Sequence, residues 1–166
     1  MLKKVVLFAL LILPLGVFAQ ELKIAHVNFE NVFTSLPESE AAGKQLNAFY
    51  EQVQADIKSM RDEYFKKIED FRQLGDSVSE SIKVRRLQEI NDLEERINVR
   101  TQQADQELVT KRDELNTPII QKIQQAIRDV ATERGLMYVF ESNAPLFTSP
   151  DATDITQSVK TKLGVQ

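Results

Sequence analysis

Two stretches of this chain share an apolar spacing that only a long helix satisfies. Between Ser39 and Leu74 there is no proline, one glycine and dense charge, and apolar residues fall at Leu46, Phe49, Val53, Ile57, Met60, Tyr64, Ile68 and Phe71. These steps of three and four repeat over eleven residues rather than seven, which predicts a nearly straight or slightly right-handed stripe. At 1.5 Å per residue the helix is roughly 54 Å long, more than a compact domain of this size can cover. The same period returns later, with Ile97, Leu108, Ile119 and Val130 on one row and Leu93, Ala104, Leu115 and Ala126 on the next. A third row, Ile90, Thr101, Arg112 and Ile123, is half polar. The stripe is therefore thin in its middle, where a sealed coiled coil would keep large apolar residues. Between the stretches, Gly75 suits a left-handed helix end, and Ser77 with Glu80 has capping-box spacing. The pattern predicts an antiparallel hairpin with its tip near residues 75–81.

Pro118 follows Asn116-Thr117 inside the second stretch, where it removes a backbone donor and crowds the preceding turn. It predicts a kink, or a restart capped by Thr117, level with the root of the first helix, and is the candidate hinge. The flanks read differently. Leu22 to Phe29 is rich in strand formers, and Glu30 to Leu36 has helical spacing closed by Pro37. Gly135 ends the long helix, Leu136 to Glu141 reads as a buried strand, and Asn143-Ala144-Pro145 turns into a second strand, Leu146 to Thr148. A last helix starts around Pro150 to Thr153 and runs through Leu163, with Gly164 beyond its end. The expected fold class is α+β. A helical-hairpin arm, residues 39–117, is rooted in a small β-containing oligomerisation body made of residues 20–38 and 118–166.

Residues 1–19 have the order of a secretory signal: Lys3 and Lys4, the apolar run from Val5 to Leu13, then small residues at Val17 and Ala19. The run is too short for a membrane span, which needs about 20 residues. Cleavage after Ala19 is expected, giving an exported, periplasmic chain. Its loss removes two lysines and no acid, so the formal charge moves from −4 to −6. No strong basic block remains to hold phosphates, which argues against a nucleic-acid partner. With no cysteine, neither disulfides nor thiolate metal sites contribute.

The base of such a hairpin holds only about 60 residues, too few for a generous core, and its short strands leave open edges. Pairing between subunits answers both difficulties. The candidate oligomerisation residues are Ile24, Val27, Phe29, Val139, Phe140 and Leu146.

Taken together, these segments resemble the Skp/OmpH family of periplasmic chaperones of outer-membrane proteins. The resemblance rests on Lys23 to Phe33 with Leu36-Pro37-Glu38, the charged hairpin, Leu115 to Ile119, Tyr138 to Glu141 and Asp154-Ile155-Thr156. It covers the whole chain after the signal. It implies a homotrimer whose three arms, flexing near their roots, enclose a cavity that shelters unfolded outer-membrane proteins without ATP, with transient approach to the membrane. Better-known members are strongly basic whereas this chain is acidic, so its client contacts are expected to be less electrostatic than the family norm.

Nothing in the residues supports catalysis. His26 is the only histidine and lies without a neighbouring acid pair, and Asp62-Glu63 and Glu94-Glu95 sit beside Arg61 and Arg96 as ordinary helix-face charges. No phosphate loop, nucleophile motif or metal cluster is present in the sequence, and no cofactor is expected. Phe49, Tyr64 and Phe71 belong to the seam. Tyr50, Phe65, Val84, Val99 and Val109 fall off it and are the candidate client-binding residues, suited to partners without a fixed shape. The competing expectation is a periplasmic adaptor whose hairpin docks another assembly. Its tip, Gly75 to Ser81, is mostly small and polar, without a docking signature.

Overall fold

A computed structural model describes residues 23–75 and 78–165. The expected signal segment lies outside these residues, as does Ser77 of the expected capping box. The chain runs β1 (Ile24–Val27), α1 (Phe29–Ser35), α2 (Pro37–Arg72), α3 (Glu80–Arg134), β2 (Tyr138–Glu141), β3 (Thr153–Asp154) and α4 (Thr156–Leu163). The α+β expectation of a long hairpin on a small sheet matches this architecture.

Local chemistry sets each junction. Asn28 caps α1, its Oδ1 accepting from the Asn31 N–H at 2.8 Å. Leu36 is at once the last cap of α1 and the first of α2, extended at φ −83°, ψ 130°. Pro37 imposes that conformation on the residue before it and then occupies the first turn of α2, where a missing N–H leaves nothing unpaired. The arm therefore begins two residues earlier than the charge pattern predicts. At the other end, Gly135 takes a left-handed conformation (φ 64°) and its N–H closes on the carbonyls of Ala131 and Thr132.

The sheet differs from the expected strand pair. Its order is β2-β1-β3, and both pairings of the central strand are parallel. Ile24 pairs with Tyr138 and Val27 with Glu141, while Ala25 pairs with Thr153 and His26 with Asp154. Leu146 to Thr148, expected as a strand, forms none, and the third strand lies at Thr153–Asp154, where the last helix was expected to begin. The physical reason is that β1 has two edges. One receives β2, and the other is closed by Thr153–Asp154, with the Ile155 N–H donating to the His26 carbonyl at 3.0 Å. No edge of β1 remains for residues 146–148. Because β1 and β2 are parallel, their connection must cross over, and the whole hairpin α2–α3 is inserted in that crossover.

One core joins the chain ends. Ala25 and Val27 from β1, Val32, Leu36 and Ala42 pack with Ile119, Ile123, Ala126 and Val130 of α3 and with Ile155 and Val159. Packing also explains Pro118. The restart expected at Thr117 does not occur, since α3 continues unbroken through the proline. An interior proline costs about 3 kcal/mol, and burial of Ile119, Ile123, Ala126 and Val130 just beyond it opposes that cost at roughly 1.5–3 kcal/mol per large side chain.

The arm has separate apolar contacts. Val53, Ile57 and Ala104 form a second cluster with Phe49 against it, and Ile90, Leu93 and Ile97 are buried nearer the tip. Ion pairs cross the hairpin at Arg100–Asp56 (2.8 Å) and Lys67–Glu89 (3.3 Å). Between core and second cluster, Arg112 of the half-polar row is exposed and pairs only with its neighbour Asp113 among the described residues. Ile123→Ala is expected to lower the unfolding free energy in urea by about 3 kcal/mol. Val84→Ala, on the exposed distal arm, should change it by less than about 0.5 kcal/mol. Equal effects from the two would contradict a base-centred core.

Candidate functional site

Two surfaces leave apolar groups uncovered, and each follows from the periodicity of its elements. On β1, alternation turns Ala25 and Val27 into the core and Ile24 and His26 to the opposite face. Parallel register sets Tyr138 beside Ile24 and Phe140 beside His26. The Tyr138 and Phe140 rings stack with centroids 6.2 Å apart and planes at 18°. Ile24, Tyr138 and Phe140 are all exposed, as is Met137 before β2. Leu146 and Phe147, in the loop after β2, are 108% and 79% exposed. Ile24, Tyr138 and Phe140 thus form an exposed apolar group on the sheet face, of a kind that often marks an interaction surface.

The residues expected to assemble therefore divide. Ile24, Phe140 and Leu146 face outward. Phe29 stacks on Phe33 at 6.5 Å and packs with Val139 against the chain's own core. Val27 is 4% exposed, so its place among the assembly residues is corrected: it is core. Tyr138 was not among the expected residues, although the period-two pattern that selects Phe140 selects Tyr138 with it and turns Val139 the other way.

Polar groups lock the rim of this sheet. The Phe29 N–H donates to both oxygens of the Glu141 carboxylate (3.2 and 3.1 Å), which places the anion at the N-terminus of α1. The Asn28 N–H donates to Thr156 Oγ1 at 2.9 Å. The Thr156 N–H and hydroxyl donate to Asp154 Oδ1 at 2.8 and 2.6 Å. His26 Nδ1 lies 2.9 Å from Ser142 Oγ, a structural contact. Burial pushes the Asp154 carboxyl up, but the bonds from Thr156 and the charge of His26 outweigh it and hold the group below its ordinary value of 3.8. No three metal-ligating side chains converge among the described residues.

On the arm, Tyr50, Phe65, Val84, Val99 and Val109 are all exposed, as are Ile82 and Leu87. Only Tyr50 and Val109 come together, in one groove with Leu46 and Leu108. Val99 lies beside Met60, Phe65 packs edge-on against Tyr64 at 5.6 Å, and Val84 stands nearer the tip. At the root, Pro118 lines a shallow apolar groove with Ala41, Ala42, Leu115 and Ile119, braced by the Lys122–Glu38 pair at 2.5 Å. The bond from Lys122, with that from its own backbone N–H, holds the Glu38 carboxyl below the ordinary carboxylate value. No helix of the described residues is long and apolar enough to cross a membrane.

A hairpin inserted in a β-crossover, with an uncovered sheet face at its base, is the architecture of a known class of proteins. Residues 23–163 match the family described as Outer membrane protein (OmpH-like), and the chain belongs to that family. It is similar to the chaperone protein Skp of Pectobacterium atrosepticum, 28% identical over 137 residues that span 82% of each chain. The Skp of Vibrio cholerae is 22% identical over 130 residues, 78% of this chain and 76% of that one. A solved structure of an OmpH-like protein from Caulobacter crescentus CB15 shares the fold with a TM-score of 0.74 at 13% identity, over 85% of this chain and 83% of that one. These relatives are chaperones, and the protein is not an enzyme.

The lowered Asp154 pKa sets a pH dependence. Its contribution is complete above the ordinary value of 3.8 and is lost as pH falls through the still lower folded value. Asp154→Ala is expected to destabilise the protein by about 0.5–1 kcal/mol at neutral pH. In urea titrations the deficit should shrink as pH falls below 3.8, and a deficit independent of pH would contradict this role.

Proposed function

We propose that the protein is an ATP-independent holdase chaperone of the periplasm that binds unfolded outer-membrane proteins in a cavity between the arms of a homotrimer. The observation that carries this reading is the uncovered apolar face Ile24–Tyr138–Phe140 at the base of the hairpin, in a family whose named relatives are chaperones. Covering that face, with Leu146 and Phe147, gives the small base the apolar burial it lacks alone. The open edges of β2 and β3 supply backbone donors and acceptors for pairing between subunits. Three is the subunit number that the family resemblance implies.

Assembly by the bases turns the arms into a shared enclosure. Tyr50, Phe65, Val84, Val99 and Val109 offer apolar contacts of no fixed geometry, which suits clients without a fold. Pro118 leaves one backbone carbonyl without its helical donor just where the arm leaves the core, and it is the hinge at which an arm adjusts to cargo. The adaptor alternative has no support in the hairpin tip, whose residues 75–81 are mostly small and polar.

The test dilutes a urea-denatured outer-membrane barrel protein into buffer with the purified mature chain. The oligomer is expected to keep it soluble at a near-stoichiometric ratio, and Tyr50→Ser with Phe65→Ser and Val99→Ser to weaken holding. Unchanged suppression of aggregation by the triple variant would remove these residues from the client surface. Failure of the wild type, with a specific folded partner recovered instead, would favour the adaptor.

A further inference from the structure

Charge is not spread evenly along the arm. Residues 45–55 carry one charged side chain, Glu51, and residues 101–110 carry two, Asp105 and Glu107. Elsewhere the hairpin is dense with charge: Lys111 to Glu114 are all charged, and Arg61 to Arg72 are mostly so. The two charge-poor segments lie opposite each other. Val53 and Ile57 pack on Ala104, Phe49 shares a groove with Gln103, Gln106 and Thr110 that Glu107, Lys111 and Glu114 border, and on the other flank of the seam Asn47 and Tyr50 share one with Leu108, Val109 and Arg112. They form a belt that begins about 12 Å from the root of α2 and ends about 27 Å from it.

Amide side chains fill this belt, seven Gln and Asn across the two segments. Elsewhere on the hairpin three such amides are tied to an acid one turn away, Gln73–Glu69, Gln88–Asp92 and Gln125–Asp129. Among the described residues, no belt amide bonds another side chain. Each keeps two donors and an acceptor free.

We infer that this root-proximal belt is the client-contact site of the arm, and that it takes an extended, uncharged stretch of unfolded polypeptide. The inference rests on the chaperone reading above and gives that reading a location. An unfolded chain of any sequence presents uncharged N–H and C=O groups along its length. Free amides match both, Tyr50, Phe49 and Val109 add apolar area, and the charges bordering the grooves are of both signs, Glu107 and Glu114 against Lys111 and Arg112, so neither sign of client is favoured. The belt narrows the arm contacts proposed above: the distal Phe65 and Val84, which stand among charges, are not required.

The test uses the full oligomer and the same denatured barrel protein, with affinity read by fluorescence. Asn47→Glu with Val109→Glu, and separately Gln103→Glu with Gln106→Glu, add negative charge in place of the amide and apolar groups of the two grooves while keeping good helix formers. Each pair is expected to weaken binding about tenfold or more, whereas Phe65→Glu with Val84→Glu changes it less than about twofold. Raising salt from about 0.05 to 0.5 M should change wild-type affinity less than about threefold. A photo-crosslinker at position 50 or 106 should capture the client, and one at 65 or 84 should not. If the wild type holds the client while belt variants bind normally, or crosslinks gather at 65 and 84, the belt is wrong and the chaperone reading stands. If the wild type holds no client, both fall.

Discussion

The structure depends on the two edges of β1. A four-residue strand has little stability of its own, yet β1 carries β2 on one side and β3 on the other. Its inner residues Ala25 and Val27 anchor the core that α3 and α4 complete. Because both neighbours come from the far end of the chain, filling those edges requires the intervening hairpin to fold back on itself. Bonds at the rim, from Phe29 to Glu141 and from Asn28 to Thr156, lock the ends in register. The base thus fixes where the arm stands, while the arm's two helices are held to each other by separate apolar clusters interrupted by polar and small residues.

This division between a locked base and a loosely zipped arm suits a holdase. A fully sealed coiled coil would have no apolar surface to offer, and a hairpin without buried contacts would not stand away from its base. The cluster of Val53, Ile57 and Ala104 and the Arg100–Asp56 pair keep the helices together midway. Around them, the belt of free amides remains available to a partner. With a formal net charge of −4, the proposed holding relies on short-range apolar and amide contacts rather than on long-range attraction.

How much was legible in the residues follows from the range of the interactions involved. The hairpin was, because an eleven-residue apolar period over two long stretches is a local record of one buried stripe; every residue of the predicted first stripe, from Leu46 to Phe71, is at least partly buried. The third strand was not. Thr153–Asp154 is two residues long, and its place is decided by the free edge of β1 and the turn that Asp154 makes with Thr156, whereas Leu146 to Thr148 has strand composition and no partner in the protomer. Pro118 reads locally as a break, and packing of Ile119 and Ile123 overrides it. On the sheet, alternation separates Tyr138 and Phe140 from Val139, but which face looks inward depends on α3 lying across it. The exposed arm residues were legible as departures from the stripe. Their grouping, with only Tyr50 and Val109 in one groove, required the pairing of the two helices.

The central claim is that bases assemble and arms enclose. Native mass spectrometry of the purified protein with a denatured outer-membrane barrel tests it most directly. The account predicts a complex of three chains and one client, and a free protein that is likewise trimeric. Clients bound by single chains, or several clients on the outside of one oligomer, would contradict it.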